Sequence, residues 1–443
     1  MKINTLGLFL ITALALCAGA GLVALGAALG PLNPPSGPVS STNKTLAEIE
    51  PRTAVNATNT PGNTFALFRI TQPGSYYLTS NISIPSSNSW AIEIAANGVT
   101  LDLNGYTING NGNGNGNNVG GIVLSLVSVV GEPKGVAIRN GTITNITRSG
   151  ITPSSFPNGA QGVIVENVRV LNVSSTNGGV NGIAGIYLGR GGSAINCYVA
   201  NAPTGITTSF SARVINSTAE FCTFSGFDIG GGSVIQNCVA VGIFGGPTDG
   251  HGFVLRTGSQ ATNCNSRSNT GDGFVLEESS VALDCSSSNN TGAGYRLNSR
   301  ARLERCSADV NTDSGVATTT GSAAWSIERC TITEHASVSI RANGNQGKVS
   351  NNTIHGTNAN GSIGILVPSN CDDMLISGNR FTTLYRAVQV DGGFVIATNN
   401  VLNFVFAFVV NSAGVPLINN FVAPVLGPSE AATATNPFAN IKI

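Results

Sequence analysis

The chain has 443 residues, with 22 basic and 22 acidic side chains and therefore no formal net charge; 10% of residues are charged and 56 are glycine. A neutral, charge-poor surface excludes the basic stripe through which nucleic acid is bound. Glycine at this density, with turn clusters such as Ser287-Ser-Asn-Asn290, excludes an array of long helices.

Taken in chain order, Met1-Lys2 and an apolar run from Leu6 to Leu29 come first and predict a signal peptide or signal anchor over residues 1–30. Ala18-Gly-Ala20 is a candidate cleavage point. The run of about 24 residues is also long enough to span a bilayer, so an uncleaved anchor is the alternative, and membrane contact is expected only through it. Leu14-Ala-Leu-Cys17 faintly resembles a lipoprotein box, with Leu16 where a small residue is wanted. Residues 31–60, rich in Pro, Ser, Thr and Asn, predict a flexible linker. Such a leader places the protein in a secreted, periplasmic or cell-surface setting.

Downstream, one phrase recurs: Ile235-Gln-Asn-Cys238, Ala261-Thr-Asn-Cys264, Leu283-Asp-Cys285, Leu303-Glu-Arg-Cys306 and Ile327-Glu-Arg-Cys330, with Cys197 upstream in similar context. With Asn or Ser in place of Cys it continues as Ile164-Val-Glu-Asn167, Val214-Ile-Asn-Ser217, Val349-Ser-Asn-Asn352, Ile376-Ser-Gly-Asn379, Ile396-Ala-Thr-Asn399 and Leu417-Ile-Asn-Asn420. A second phrase follows it, seen in Gly226-Phe-Asp-Ile, Gly252-Phe-Val-Leu, Gly273-Phe-Val-Leu and Gly294-Tyr-Arg-Leu. Short runs of β-branched and aromatic residues between polar turns, at a step of about 21 residues, describe a solenoid whose units fold only by stacking. The expected fold is all-β: a right-handed, single-stranded parallel β-helix with coils of about 21 residues, successive strands ~4.8 Å apart. It should occupy residues 61–425, followed by a C-terminal tail at 426–443. The alternating Asn-Gly stretch at 109–118 should project as a loop, and the dense strand 404–410 needs covering.

At these phrases the chain resembles the exported bacterial right-handed parallel β-helix repeat proteins of the pectin-lyase-like superfamily. The opening Phe68-Arg-Ile-Thr-Gln-Pro-Gly-Ser-Tyr-Tyr-Leu-Thr-Ser-Asn-Ile82, with Gly98-Val-Thr-Leu-Asp-Leu-Asn-Gly-Tyr-Thr-Ile108, is similar to their first-coil module, and Asn436-Pro-Phe-Ala-Asn440 to their C-terminal ends. The resemblance implies an extracellular or cell-wall polysaccharide as partner. It does not fix a reaction, because the superfamily holds lyases, hydrolases, epimerases, tailspikes and surface proteins.

Nine cysteines are present, one of them, Cys17, in the leader. Once-per-coil spacing favours an inward ladder of free thiols, although adjacent coils also bring thiols within the range of a disulfide. Neither zinc spacing nor a calcium repeat is present, so no metal and no cofactor is expected.

Register places His251 beside Asp272 and Arg256 beside Glu277, with Arg296 one strand position from the column of Glu277. A carboxylate one coil away would orient the imidazole, so His251 and Asp272 are candidate catalytic residues; a solvated histidine at a turn is the plainer account. Arg256, Glu277 and Arg296 are candidate binding residues, with the insertion Gly245-Gly-Pro-Thr-Asp249 expected to raise a rim beside them. Asp284, Arg305, Arg329, Glu304 and Glu328 are expected to be structural ion pairs. Gly250-His251-Gly252, Asn311-Thr-Asp313 and Asp372-Asp373 resemble polygalacturonase motifs, but in inverted order and too far apart for an inverting carboxylate pair, whose separation is roughly 6.5–9.5 Å. Three functions stay open: a polysaccharide-binding face with no assignable reaction, a polysaccharide lyase, hydrolase or epimerase, and a structural or adhesive surface protein.

Overall fold

A computed structural model describes residues 51–442, apart from 86–88, 112–117, 126–130, 156–158, 175–182, 247–248, 336, 358–359, 370, 393, 411–420, 423–424 and 427–438. The leader, most of the linker, most of the Asn-Gly stretch and most of the tail lie outside the described residues. One compact unit begins at Arg52. Its described residues form 43 strands joined into one continuous ladder, and the pairings between named strands are parallel. No helix occurs among the described residues, in keeping with the glycine-rich, turn-rich sequence.

Each typical coil contributes three short strands. One example is Ser225–Ile229, Val234–Gln236 and Val239–Val241, after which the chain enters the next coil at His251–Leu255. The first strands of all coils stack into a first sheet, the second and third strands into two more. In the first sheet a single inward column runs Ile92, Ile122, Ile151, Ile186, Ile206, Phe227, Phe253, Phe274, Tyr295, Val316, Ile340, Ile365 and Val388, and each of these is fully buried. Where the column turns aromatic the rings lie parallel, with centroids 4.8, 4.6 and 5.0 Å apart from Phe227 to Tyr295. That spacing is the strand separation itself. The coils average about 24 residues over about 13 turns, longer than the expected 21, because along this column only the segments 186–227 and 253–316 keep a step of 20 or 21 and the other coils carry longer turns.

The recurring phrase reads out the turn between the second and third strands. Its Asn is left-handed in every coil from Asn140 through Asn167, Asn196, Asn216 and Asn237 to Asn263, with φ between 50 and 59°, the conformation that Asn tolerates better than most residues. These side chains bond one another at 2.8–3.3 Å along the outside. The next residue points inward. Cys197, Ser217, Cys238, Cys264, Cys285, Cys306, Cys330, Asn352, Asn379, Asn400 and Asn440 form that inner column, linked by bonds such as Cys197 N to Ser217 Oγ, Cys285 N to Cys306 Sγ, Cys330 N to Asn352 Oδ1 and Asn400 N to Asn440 Oδ1. Asn167 and Asn399 therefore belong to the outer column, one residue before Val168 and Asn400; Asn420 lies outside the described residues.

All eight cysteines beyond the leader are buried, and none is in a disulfide. Burial pushes the Cys197 thiol up to about 11 and those of Cys222 and Cys330 to about 12, so these three supply no thiolate near neutral pH.

Two boundaries move. Thr53–Ala54, placed in the linker from sequence, pairs with Tyr76 and Tyr77 and starts the solenoid. Asn440–Lys442, placed in the tail, pairs with Val401 and Leu402 and rejoins it.

Candidate functional site

The strand His251–Leu255 and the two that follow in the first sheet carry the residues singled out from sequence, and the structure separates them into two groups. His251 and Asp272 stand at the entry end of that sheet, in line with Ser225. Arg256 and Glu277 stand just past its exit, where the chain turns toward the second sheet. Arg296 lies between, in the outward column of Asp228, Val254 and Val275.

At the entry end, Asp272 is 3% exposed. Its carboxylate takes two bonds from Arg296, Nε to Oδ2 at 2.6 Å and Nη2 to Oδ1 at 2.8 Å, and Oδ1 also accepts the Ala293 amide at 2.8 Å. The Asp272 amide donates to His251 Nδ1 at 3.0 Å, whereas the carboxylate is 3.8 Å away. The imidazole is thus held through a backbone bond with Nδ1 as acceptor, and the carboxylate expected to orient it serves Arg296 instead. Asp313 lies 3.9 Å from Arg296 and 3.8 Å from Arg341. A bidentate guanidinium–carboxylate pair that closes its own bonds is a staple between coils, which accounts for Arg296 and Asp272 without chemistry. Of the insertion, Gly245 bonds Thr270 Oγ1 at 2.8 Å beside this entry end, and Asp249 lies two residues before His251; residues 247 and 248 lie outside the described residues.

At the exit end, Arg256 bridges two coils. Its Nε and Nη2 bond both oxygens of Asp228 at 2.8 and 3.0 Å, and its Nη1 bonds Glu277 Oε1 at 2.6 Å. Asp228 above all, with Glu277, raises the guanidinium above its ordinary value. Asp228 escaped the sequence reading because it lies 28 positions from Arg256, across the one lengthened coil.

Around this bridge runs a groove. One part, of about 390 Å³, is lined by Tyr187, Thr207, Thr208, Ser209, Phe210, Asp228, Gly230, Gly231, Arg256, Thr257 and Glu277. A second part of similar size is lined by Thr257, Glu277, Glu278, Asn298, Ser299, Thr319, Thr320, Gly321 and Ser322. Thr257 and Glu277 border both, so the two hollows of this channel are neighbours along the stack of coils. Phe210 presents its ring at 47% exposure, and Tyr187 is buried with its hydroxyl 2.9 Å from Ser209 Oγ. Gly230 forms the floor: a Cβ there would fall 2.2 Å from the Ser209 carbonyl oxygen.

The third charged cluster lies on the second sheet. Glu304, 4% exposed, is gripped by Arg302, Arg305 and Arg329, and Arg305 also binds Asp284 at 2.8 and 2.9 Å. Lys348 meets Glu328 at 3.2 Å. The contacts of Arg305 and Arg329 with Asp284 and Glu304 are ion pairs expected from sequence, whereas Arg302 and Lys348 are partners that the sequence did not indicate. Among the described residues no group of three or more His, Cys, Asp or Glu side chains converges as a metal site, and no helix is long and apolar enough to cross a membrane.

Residues 204–354, the coils that carry the charged networks and most of the channel, match the family model described as right handed beta helix region. The chain folds as a right-handed parallel β-helix. No curated protein matches it. Solved structures similar to it include the A-module of the Azotobacter vinelandii mannuronan C-5 epimerase AlgE6, at 14% identity, covering 84% of this chain and 90% of that one with a TM-score of 0.39. The periplasmic alginate epimerase AlgG is 14% identical over 82% of this chain and 81% of that one, with a TM-score of 0.41. The Dettilon tailspike protein is 14% identical over 77% and 61%, with a TM-score of 0.34. Likeness at this level carries nothing about activity.

Proposed function

We infer that the protein presents a polysaccharide-binding face, with the channel at the exit edge of the first sheet as the seat of an extended glycan. The observation that carries this reading is the adjacency of the two hollows: both are bordered by Thr257 and Glu277, so a linear chain following the solenoid axis would meet one after the other. Its lining suits a sugar. Phe210 offers a flat apolar ring, while Ser, Thr and Asn side chains and the fixed Arg256–Glu277 pair offer donors and acceptors already aimed by neighbouring coils. No acid–base pair stands in the channel free of a tight partner, so binding without an assigned reaction is the reading the geometry supports. The apolar run from Leu6 to Leu29 supports export to a compartment where such a glycan is met.

Retention on immobilised polysaccharides tests this. Replacing both Arg256 and Glu277 by Ala should weaken retention about tenfold, equivalent to about 1.4 kcal/mol. Stability should hardly change, because exposed ion pairs contribute about 0.2–1 kcal/mol. Absence of binding by the wild type, or unaltered binding in the double variant, overturns the reading in favour of a structural role.

A further inference from the structure

The turn that leads from the third sheet back to the first carries a second outer column, and it is broken in one place. Through three coils Asn145, Asn172 and Asn201 hold its left-handed position, at φ 53–54°. Their side chains form a ladder: Asn145 Nδ2 donates to Asn109 Oδ1 at 3.3 Å, Asn172 Nδ2 to Asn145 Oδ1 at 3.1 Å and Asn201 Nδ2 to Asn172 Oδ1 at 3.1 Å. In the next coil the Asn201 amide meets the Glu220 carbonyl, which sets Phe221 in the asparagine position. Phe221 keeps the left-handed backbone, with φ 51°, although a bulky side chain is strained there. The ladder stops, and Asn201 Oδ1 receives no donor among the described residues.

Burial does not offset this strain. Phe221 is 49% exposed, and Phe244 in the following coil is 50% exposed. Phe244 departs from its own column in the same way, since other coils place Thr223, Thr270, Thr291 and Thr312 there. Gly242 makes the room: a Cβ on it would fall 2.9 Å from the Phe221 ring. Together these positions hold two rings in solvent beside the half-buried Phe224, around a hollow of about 380 Å³ at the entry edge of the first sheet. Its lining includes Asn201 and Thr223 and carries no ionisable side chain.

We propose that this hollow is a second glycan site, which seats one ring of an uncharged sugar chain with its C–H face on the phenylalanines and a hydroxyl donating to Asn201 Oδ1. The inference goes beyond the exit-edge channel and does not rest on it. Aromatic walls with a few polar groups suit a compact, partly apolar ligand, and the charge of the lining selects among such ligands. A uronic acid, or the anionic headgroups of a membrane, would meet no cation there and would bring charge against apolar walls. An aliphatic side chain of a protein partner would cover Asn201 Oδ1 without supplying the donor that the ladder withholds, which is unfavourable. A neutral sugar ring meets both demands, with apolar C–H groups on one face and hydroxyl donors at its edge.

Titration calorimetry with neutral oligosaccharides of glucose, galactose, mannose and N-acetylglucosamine, and with a uronic acid oligomer of equal length, tests this. The Arg256→Ala/Glu277→Ala protein serves as parent, so that binding at the exit edge is already weakened. At least one neutral oligomer should bind the parent, with an affinity that hardly changes as salt rises. Adding Phe221→Asn and Phe244→Thr, the residues that other coils place at these positions, should weaken that binding about tenfold. Thermal unfolding should stay where it was or move up, because Asn relieves the strained backbone and resumes the ladder. A fall in thermal stability would make the rings structural, and unaltered binding would place the sugar elsewhere; either result overturns the proposal. So does tighter binding of the uronic acid oligomer, or attachment to phospholipid vesicles or self-association in sedimentation that the two substitutions abolish. If the wild type binds neutral oligomers and the parent binds none, this inference fails and the exit-edge channel stands. If the parent binds as tightly as the wild type and loses that binding with the two phenylalanines, the exit-edge channel fails and this site stands.

Discussion

Two halves of one inner column use different chemistry for the same task. From Cys238 to Cys330 the slot after the left-handed turn residue is filled by thiols; from Asn352 to Asn440 it is filled by carboxamides. In both halves the backbone N–H of the slot needs an acceptor from the following coil. Sulfur supplies it weakly, at 3.5 Å from Cys264 N to Cys285 Sγ and 3.3 Å from Cys285 N to Cys306 Sγ. The amides supply much more. Asn379 Oδ1 accepts both the amide N–H and the Nδ2 of Asn352, at 3.0 and 2.9 Å, while its own Nδ2 donates to Asn400 Oδ1 and to the Val349 carbonyl. The slot demands a small side chain that carries an acceptor, and Ser217, accepting from Cys197 N at 3.1 Å, satisfies it too. Thiol redox chemistry is not what places cysteine there.

That comparison is broken most severely on the amide side. Asn379→Leu removes four bonds and leaves buried groups of Asn352 unpaired, each costing about 1–3 kcal/mol; a loss of about 3 kcal/mol or more is expected. Coils open locally in a solenoid, so amide hydrogen exchange around residues 349–402 is the measurement. A loss no greater than that of a cysteine substitution would show that the amide ladder carries no special load.

The thiol side should break more gently. Cys285→Ala strands one N–H and opens a small space, for about 1–2 kcal/mol, while Cys285→Ser should recover most of it because the hydroxyl restores the acceptor. Reductant should leave thermal unfolding of the wild type where it was. A fall on the scale of a lost disulfide, about 2–5 kcal/mol, would mean that these thiols pair.

What could be read from sequence follows the same division. Where the step is a strict 21, from Phe253 to Val316, counting alone aligned Cys264, Cys285 and Cys306 and the Arg256–Glu277 contact. Where coils lengthen, counting failed. Asp228, the stronger partner of Arg256, sits across the lengthened coil that separates Phe227 from Phe253, and Tyr187 and Phe210 lie upstream of it. Asn440 joins the column 40 positions after Asn400, a step no repeat suggests. The contact of Asp272 with Arg296 was hidden for another reason: it runs diagonally between outward columns, and register aligns only residues of one column. Asn269, Asn290 and Asn311 form a second inner amide ladder that went unread because polar residues there look like ordinary turns.

That second ladder gives the smallest expected effect, one of pH. It ends at His335, 3% exposed, whose Nδ1 accepts the Asn311 amide at 3.1 Å. Desolvation lowers the His335 pKa below its ordinary value, opposed by its bonds to the backbone of Asn311 and Ala308 and by Asp309, the ionised group acting on it. With the folded value depressed, the unfolded chain binds the extra proton first. The stability of these coils is therefore fully present above the ordinary histidine value of about 6.5 and falls as pH drops below it. His335→Asn continues the amide ladder with a group that does not titrate, and should flatten the pH dependence of exchange at residues 308–335 between neutral and mildly acidic conditions. The same slope in wild type and variant would assign the acid sensitivity to the carboxylate pairs of the outer columns, where stability is lost only as those acids protonate.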